Sequence, residues 1–256
     1  MVRPVLAAAV DLLYPRLCCG CKTPLDPGAG AASTDIQALF CHTCEEALPW
    51  VQAPCCRVCG ETYDGAISGD FRCANCSGRR LEFEFATAAC HARELVRELV
   101  HQFKYERRLH LRGALAGLLL RTLEEPRLAR EPLASWLLVP VPLHPEREQD
   151  REFNQSWELC LRLARLTGIP AVNALARVQE TDPQARLNRQ ERLKNLRGAF
   201  ALRKVRPWQK KPALQGRGIL LVDDVFTTGA TTNECARVLR REGGAQKVVV
   251  ITVARG

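Results

Sequence analysis

The stretch that decides the fold is Ile219-Leu220-Leu221-Val222-Asp223-Asp224-Val225-Phe226-Thr227-Thr228-Gly229-Ala230-Thr231-Thr232. Its first four residues form a continuous apolar run, which is typical of a strand buried on both faces of a sheet. Two acids stand where this strand is expected to end, and a loop of threonines and one glycine follows. Glu234 to Arg241 has apolar residues at helical spacing, and Lys247 to Val253 is a second buried strand. The sequence therefore predicts a strand–loop–helix–strand unit with a ligand site at the carboxyl end of the first strand.

The loop after this strand has the chemistry of a phosphate site. Backbone N–H groups at a helix N-terminus bind phosphate, and threonine hydroxyls add donors. Gly229 allows close approach of the backbone, and Asp223 and Asp224 can hold ribose hydroxyls or a hard cation such as Mg²⁺. The stretch thus predicts a ligand with a phosphate at one end and vicinal hydroxyls or a metal chelate at the other. From spacing alone, it also fits a polar strand end in an unrelated α/β protein, but not a P-loop, because GxxxxGK is missing.

The composition is that of an ordinary globular protein. The 256 residues suffice for one large domain or two small ones, and 46% of them are hydrophobic. No apolar run approaches the ~20 residues that a membrane helix needs, so we expect no membrane insertion. Residues 5–14 are predicted to form a short amphipathic helix and not a signal peptide. The net charge of +9 indicates an anionic partner.

Ten of the thirteen cysteines precede residue 80, and eight of these form four CxxC pairs. Without a secretory signal, this pattern favours metal binding in a reducing compartment, the cytoplasm, over disulfides. A CxxC turn brings two thiolates to one tetrahedral ion, so four pairs predict one or two structural zinc ions. The predicted zinc ligands are Cys18, Cys21, Cys41, Cys44, Cys56, Cys59, Cys73 and Cys76. Cys19 and Cys55 do not complete the spacing and are predicted to be spare.

Two pairings of the four CxxC motifs stay open. A sequential pairing leaves 19 residues between the first two motifs and 13 between the last two, and a crossed pairing is compatible as well. Such a short polar segment cannot bury enough core to fold alone, which favours a structural zinc-ribbon domain over residues 1–80. The other interpretation is a ribbon that binds nucleic acid or docks on a protein.

The middle of the chain places further candidate ligands at the ends of predicted elements. Arg93 to Lys104 has a helical apolar stripe, and Lys104 is either a pyrophosphate ligand or a solvated lysine. Residues 136–144 are predicted to be a buried strand that ends in a proline-stiffened turn, a rigid place to hold pyrophosphate. Asn154 is predicted to cap a helix that ends at Thr167.

A strongly basic stretch extends from Arg186 to Arg217. It contains eleven Lys/Arg and one acid, so its charge of +10 accounts for that of the whole chain. Its first part, residues 184–198, has helical composition with few apolar anchors. Three interpretations remain: a solvated basic face, a lid that supplies arginines to pyrophosphate, or a path for a nucleic-acid backbone. Only Trp208 is available there for base stacking, so the pattern for single strands is partial.

Residues 219–232 resemble the 5-phosphoribosyl-1-pyrophosphate (PRPP) signature of type I phosphoribosyltransferases. The whole chain resembles the ComF family, competence-associated proteins with an N-terminal double zinc ribbon and a C-terminal phosphoribosyltransferase domain. The matching pieces come in the family's order: the CxxC pairs, Lys104-Tyr105, Val139-Pro140-Val141-Pro142-Leu143, Arg151-Glu152-Phe153-Asn154-Gln155, Gln184…Arg192…Asn195…Gly198…Phe200, and Asp223 to Thr231. Glycine usually follows the arginine of the Arg-Gly-Phe-Asn-Gln motif. Here Glu152 takes its place, and a side chain disfavours positive φ and adds negative charge.

The resemblance implies an α/β fold for residues 81–256, a mainly parallel sheet flanked by helices. It implies that Asp223 and Asp224 hold the ribose hydroxyls or Mg²⁺. The residues implied to cradle the 5-phosphate are Thr227, Thr228, Gly229, Ala230 and Thr231. Lys104, Arg151 and Arg192 are the candidates for binding pyrophosphate. Catalysis would consist mainly of positioning and charge neutralisation as Mg²⁺-pyrophosphate leaves, and the sequence does not specify the acceptor.

Three functional hypotheses follow. The first is a Mg²⁺-dependent, PRPP-binding enzyme or former enzyme in the cytoplasm. The second is a protein of DNA uptake whose zinc ribbons and basic stretch bind single-stranded DNA, with a regulatory or inactive PRPP pocket. The third is a structural adaptor that docks on a helicase-like partner. The intact Asp223-Asp224 pair and the complete Thr-Gly loop argue against an inactive pocket.

Overall fold

The computed structural model describes residues 15–25, 36–63, 65, 67, 71–179, 196–204 and 213–256. Its centre is a four-stranded parallel sheet with the strand order β1-β6-β5-β2. The strands are β1 (Ala86–His91), β2 (Leu137–Pro140), β3 (Leu175–Arg177), β4 (Phe200–Leu202), β5 (Gly218–Phe226) and β6 (Lys247–Arg255). The helices are α1 (His42–Glu46), α2 (Glu94–Tyr105), α3 (Arg112–Leu120), α4 (Pro126–Ala129), α5 (Pro145–Arg151), α6 (Gln155–Thr167) and α7 (Ala230–Arg241). Strands β3 and β4 form a separate antiparallel pair.

Both faces of the sheet are buried, which explains the continuous apolar runs. Alternate residues of β5 point to opposite faces: Leu220 and Val222 join the core beneath α2, α3 and α6, while Ile219 and Leu221 join the core beneath α7. All four of these side chains have no solvent exposure. The predicted α/β class, a mainly parallel sheet flanked by helices, is confirmed.

The cysteine-rich segment packs onto the sheet. Its first part, with Phe40 and Leu48, contributes to the core beneath α3, and its second part contributes to the core beneath α7. Between the two parts, Trp50 pairs with Cys90 and the N–H of Val51 donates to the carbonyl of Ala89. The segment thereby covers β1, an edge strand that would otherwise expose unpaired backbone groups.

Several element boundaries differ from the prediction. Strand β5 does not end at the two acids: its ladder with β6 continues through Asp223 and Val225 to Phe226. Helix α7 begins at Ala230, four residues before the predicted start, so two residues of the phosphate loop lie in its first turn. The alternating pattern of residues 81–91 predicts a strand, but β1 begins only at Ala86. The apolar spacing of residues 111–123 predicts a helix, which ends as α3 at Leu120 with a 3₁₀ turn after it. At the end of β5, the backbone pairing with β6 decided the limit, not the polarity of the two acids.

Two predicted features lie outside the described residues. They are the N-terminal helix at 5–14 and most of the basic stretch, including Arg192 and Trp208. In the described part of the chain, no helix combines the length and the apolar character needed to cross a membrane.

Candidate functional site

A cavity of about 720 Å³ opens at the carboxyl ends of β2 and β5. This is the edge where open α/β sheets bind ligands. The cavity brings together almost all of the predicted ligand residues: Lys104, Arg151, Asp223, Asp224 and Thr227 through Thr231. Arg192 is the exception, because it lies outside the described residues.

Asp223 is the more constrained of the two acids. Its Oδ1 accepts hydrogen bonds from the Ser156 hydroxyl and from the N–H of Asp224, both at 3.0 Å. Burial and the neighbouring charge of Asp224 raise the pKa of Asp223 to about 7, although Lys104 and these hydrogen bonds oppose the shift. A cation bound beside it would favour the ionised form.

Lys104 is held inside the site and is not a solvated lysine. Its Nζ lies 2.8 Å from Oδ1 of Asp224, and only 19% of its side chain is exposed. Burial lowers the pKa of Lys104, but the charges of Asp224 and Asp223 outweigh burial, so that its pKa is raised overall. The lysine, at the end of α2, therefore forms an ion pair with Asp224 and offsets part of the negative charge of the acidic pair.

The loop from Thr227 to Gly229 turns the chain from β5 into α7. Gly229 has a φ of +72°, and a Cβ on it would lie 2.6 Å from the ring of Phe226, so both backbone and space require glycine. Helix α7 has no side-chain cap at Gly229. The N-terminus of the helix lines the cavity, so the positive end of its dipole suits a phosphate there, and the N–H of Ala230 donates to the Thr228 hydroxyl oxygen at 3.4 Å.

Three further cations, which sequence patterns did not single out, line the cavity: Arg107, Arg147 and Arg177. Arg151 stacks on the ring of Tyr105, at 4.9 Å, and donates to Oε1 of Gln155 at 3.0 Å. Gln155 is 1% exposed. These residues come from three separate parts of the chain, and no spacing rule connects them.

The eight predicted cysteine ligands form two groups of four. One group is Cys18, Cys21, Cys41 and Cys44, the other is Cys56, Cys59, Cys73 and Cys76, and within each the sulfur atoms lie within 4.8 Å of one another. The pairing is therefore sequential. In both groups, the N–H of the third cysteine donates to the sulfur of the first at 3.3 Å, an arrangement that stabilises a thiolate. Cys19 and Cys55 stay outside both groups, and four thiolates at this spacing suit a tetrahedral zinc ion.

Comparison with known proteins identifies the family. No protein-family model matches the chain. The DNA utilization protein YhgH of Salmonella typhimurium is 32% identical over 91% of this chain and 95% of its own length. Competence protein F of Haemophilus influenzae is 29% identical over 84% of this chain and 90% of its own length. Competence protein ComFC of Bacillus subtilis is 26% identical over 84% of this chain and 83% of its own length. The chain belongs to the ComF family.

Solved structures resemble this ComF chain only weakly. A phosphoribosylpyrophosphate synthetase from Mycobacterium smegmatis is 15% identical, with a TM-score of 0.31, over 54% of this chain and 33% of its own. An overlap of this size adds nothing to the description of the site.

Glu152 stands where the resemblance predicts a glycine. It has a φ of +66° at the end of α5, so the backbone is left-handed despite the side chain. Arg107 is left-handed as well, with a φ of +55°. The Arg107 guanidinium forms an ion pair with the Glu152 carboxylate and donates to the carbonyl of Asp150 at 3.1 Å. The negative charge of Glu152 thus holds a cavity-lining arginine.

Proposed function

We propose that the protein binds PRPP, or a related phosphoribosyl ligand, with Mg²⁺ in the 720 Å³ cavity. The observation that carries this proposal is the convergence of two acids, a Thr-Gly loop at a helix N-terminus and several cations on one cavity. Its volume lies within the usual range for small-molecule sites, about 300–1,000 Å³. PRPP has three chemical parts, a 5-phosphate, ribose hydroxyls and a pyrophosphate, and the cavity offers a separate set of groups for each.

The 5-phosphate would bind at the loop and the first turn of α7, whose backbone N–H groups and threonine hydroxyls can donate to it. The acids Asp223 and Asp224 would accept from the ribose hydroxyls. Lys104 and Arg151 would neutralise the pyrophosphate, with Arg107 close by. For this, Lys104 must leave Asp224, its partner in the ligand-free protein.

Carboxylate oxygens are the ligands that Mg²⁺ prefers, so the donor set of Asp223 and Asp224 fits this ion. When bound, Mg²⁺ would neutralise part of the pyrophosphate charge. The protein's own residues would hold the anomeric carbon and the leaving group in fixed positions and exclude water around them. In this proposal the protein is a phosphoribosyltransferase-like component of DNA uptake in the cytoplasm. Relatives named competence protein and DNA utilization protein support the link to DNA.

The test is calorimetric titration of zinc-loaded protein with PRPP, with and without Mg²⁺. We expect micromolar binding that requires Mg²⁺ and is lost in the Asp223→Ala/Asp224→Ala variant. Glu131→Gln, which removes an ion pair far from the cavity, should bind as wild type does. If folded, zinc-loaded wild type shows no binding at millimolar PRPP, the proposal is wrong.

The cysteine groups are proposed to hold two structural zinc ions. Their donor sets fit zinc, and each group lies against one of the two hydrophobic cores. The metals would fix a segment that has little core of its own. Zinc chemistry at these sites would be structural, since all four positions of each ion are filled by cysteine.

A second candidate function is binding of single-stranded DNA. A cleft of about 1,030 Å³ beside the second cysteine group carries six cations and three acids: Arg57, Arg72, Arg79, Arg80, Arg127 and Lys247 against Glu84, Glu125 and Glu131. A positive groove of this kind can follow a phosphate backbone. Binding that weakens steeply with salt, and that weakens further in Arg80→Ala, which removes an exposed cation of this cleft, would support this function. Binding that is absent or insensitive to salt would exclude it.

A helicase-like partner remains a third hypothesis, which pull-down with purified competence helicases would test.

A further inference from the structure

A second, smaller cavity separates the phosphate loop from the second cysteine group. Its volume is about 340 Å³, and its walls include Cys59 and Cys76 on one side and Thr227 and Thr228 on the other. Arg255, the last residue of β6, also lines it. The metal-binding segment and the candidate ligand site are therefore neighbours in space, although 150 residues or more separate them in the chain.

Arg255 connects the two sides. It is 7% exposed, and its guanidinium donates from Nη1 to the carbonyl of Phe226 at 3.1 Å and from Nη2 to the carboxylate of Glu61. The guanidinium also lies 5.3 Å from the centre of the Phe226 ring. A buried cation needs such partners, because an unpaired one would lose its hydration without compensation. Glu61 is the counter-charge that makes burial of Arg255 tolerable.

Glu61 is held by the turn of the second cysteine group. It lies two residues after Cys59, its carbonyl accepts from the N–H of Cys56 at 2.7 Å, and the N–H of Gly60 donates to the carbonyl of Cys56 at 2.9 Å. Gly60 has a φ of +67°. The path of the chain from Cys56 to Glu61 is thus the metal-binding turn itself, and its geometry determines where the Glu61 backbone lies.

Phe226 carries the connection to the phosphate loop. Its carbonyl accepts hydrogen bonds from the Arg255 guanidinium at 3.1 Å and from the N–H of Gly256 at 2.9 Å, and Thr227 follows it directly. Its ring lies against Gly229, so closely that no Cβ would fit there. A shift of Phe226 would therefore move both the start of the loop and the residue from which α7 begins.

We propose that Arg255 is a positioning residue which, through Glu61, couples the second cysteine group to the phosphate loop. A metal ion bound by that cysteine group fixes the position of Glu61, and Glu61 in turn holds the guanidinium of Arg255. Arg255 then holds the loop in the conformation that receives a phosphate. The consequence for a phosphorylated ligand rests on the proposed function, whereas the consequence for the loop itself does not.

The first test is hydrogen exchange of the ligand-free, zinc-loaded protein. In Glu61→Gln, the amides of residues 227–231 should exchange about tenfold faster, the factor that corresponds to 1.4 kcal/mol of local opening. The matched control is Glu131→Gln. It removes the ion pair of Lys247 at the opposite end of the same strand, and loop exchange should stay as in wild type. Arg255→Lys keeps the charge but has one donor nitrogen instead of the two that reach Phe226 and Glu61, so its loop exchange should be intermediate.

Removal of the metal extends this test. A chelator should accelerate loop exchange in wild type more than in Glu61→Gln, since the variant has already lost the connection. Equal acceleration in both proteins, or an unchanged loop in Glu61→Gln, would overturn the proposal. Metal content and thermal unfolding of each variant show that the comparison is between folded, equally loaded proteins.

The second test separates positioning from a general loss of structure. Ribose 5-phosphate probes the phosphate loop, and pyrophosphate probes the side of Lys104 and Arg151. Glu61→Gln should weaken the binding of ribose 5-phosphate about tenfold and leave the affinity for pyrophosphate unchanged. Equal weakening of both would contradict a positioning role. If wild type binds neither, the proposed function fails, and the exchange experiment still decides the inference.

Discussion

At the residue scale, Asp223 gives the protein a distinct pH dependence. Its folded-state pKa of about 7 lies above the ordinary value of 3.8, because burial and Asp224 disfavour its charge. The stability that comes from protonated Asp223 is therefore fully present below pH 3.8 and is lost as the pH rises towards 7. Asp223→Asn should gain stability relative to wild type as the pH rises across this interval, on the order of 1 kcal/mol for each pH unit crossed.

Urea unfolding between pH 5 and 8, without Mg²⁺ or ligand, measures this difference. Both proteins carry the same cysteines, so changes in metal binding cancel between them. Asparagine also keeps an oxygen that can accept from the Ser156 hydroxyl. A stability difference that does not change with pH would show that Asp223 is not the responsible group.

A second prediction at this scale concerns Glu152. Glu152→Gln removes the charge that holds Arg107 but keeps the size of the side chain. Arg107 can then turn towards a ligand, and pyrophosphate should bind about threefold more tightly, the scale expected for an exposed ion pair. Calorimetry with pyrophosphate measures the effect. The gain in pyrophosphate affinity should vanish when Arg107→Gln is added. A gain that persists in the double variant would show that Arg107 is not its cause.

At the scale of elements, the start of α6 joins the helix to the site. Oδ1 of Asn154 accepts from the N–H of Trp157 at 3.2 Å, and its Nδ2 donates to the carbonyl of Val141, also at 3.2 Å. The predicted cap is thus confirmed. Because α6 supplies Gln155 and Ser156 to the cavity, its first turn must be fixed relative to the segment after β2.

Asn154→Ala should lower the free energy of unfolding by about 2 kcal/mol, since it removes both the cap and a partner of a buried carbonyl. Asn154→Ser keeps a capping oxygen but is too short to reach Val141, so it should lose only about half as much. Urea unfolding measures both. Equal losses in the two variants would indicate that the cap contributes nothing.

At the scale of the whole molecule, the two cysteine groups lie against opposite cores and should fill independently. Wild type should contain two zinc ions per chain. Cys56→Ser should contain one, whereas Cys55→Ser, its neighbour outside the group, should keep two. Elemental analysis after gel filtration measures the content. A loss of zinc in Cys55→Ser would contradict the sequential assignment of ligands.

Local chemistry alone determined much of this protein. The apolar runs of β5 and β6 predict buried parallel strands, the CxxC spacing predicts the eight grouped cysteines, and Asp223, Asp224 and the Thr-Gly loop predict the core of the site. These patterns are predictive because a strand, a CxxC turn and a phosphate loop each depend on residues that are neighbours in the chain.

The tertiary structure alone decided how these parts meet. The ladder with β6 carried β5 beyond its acids, and the cavity placed Lys104 on Asp224 instead of in solvent. Arg107, Ser156 and Arg255 gained their roles only through partners that are 29 to 194 residues away in the chain. The sequential pairing of the cysteines was likewise undecided by spacing. Each of these outcomes depends on which distant groups share a buried space, and periodicity and motif spacing carry no information about that.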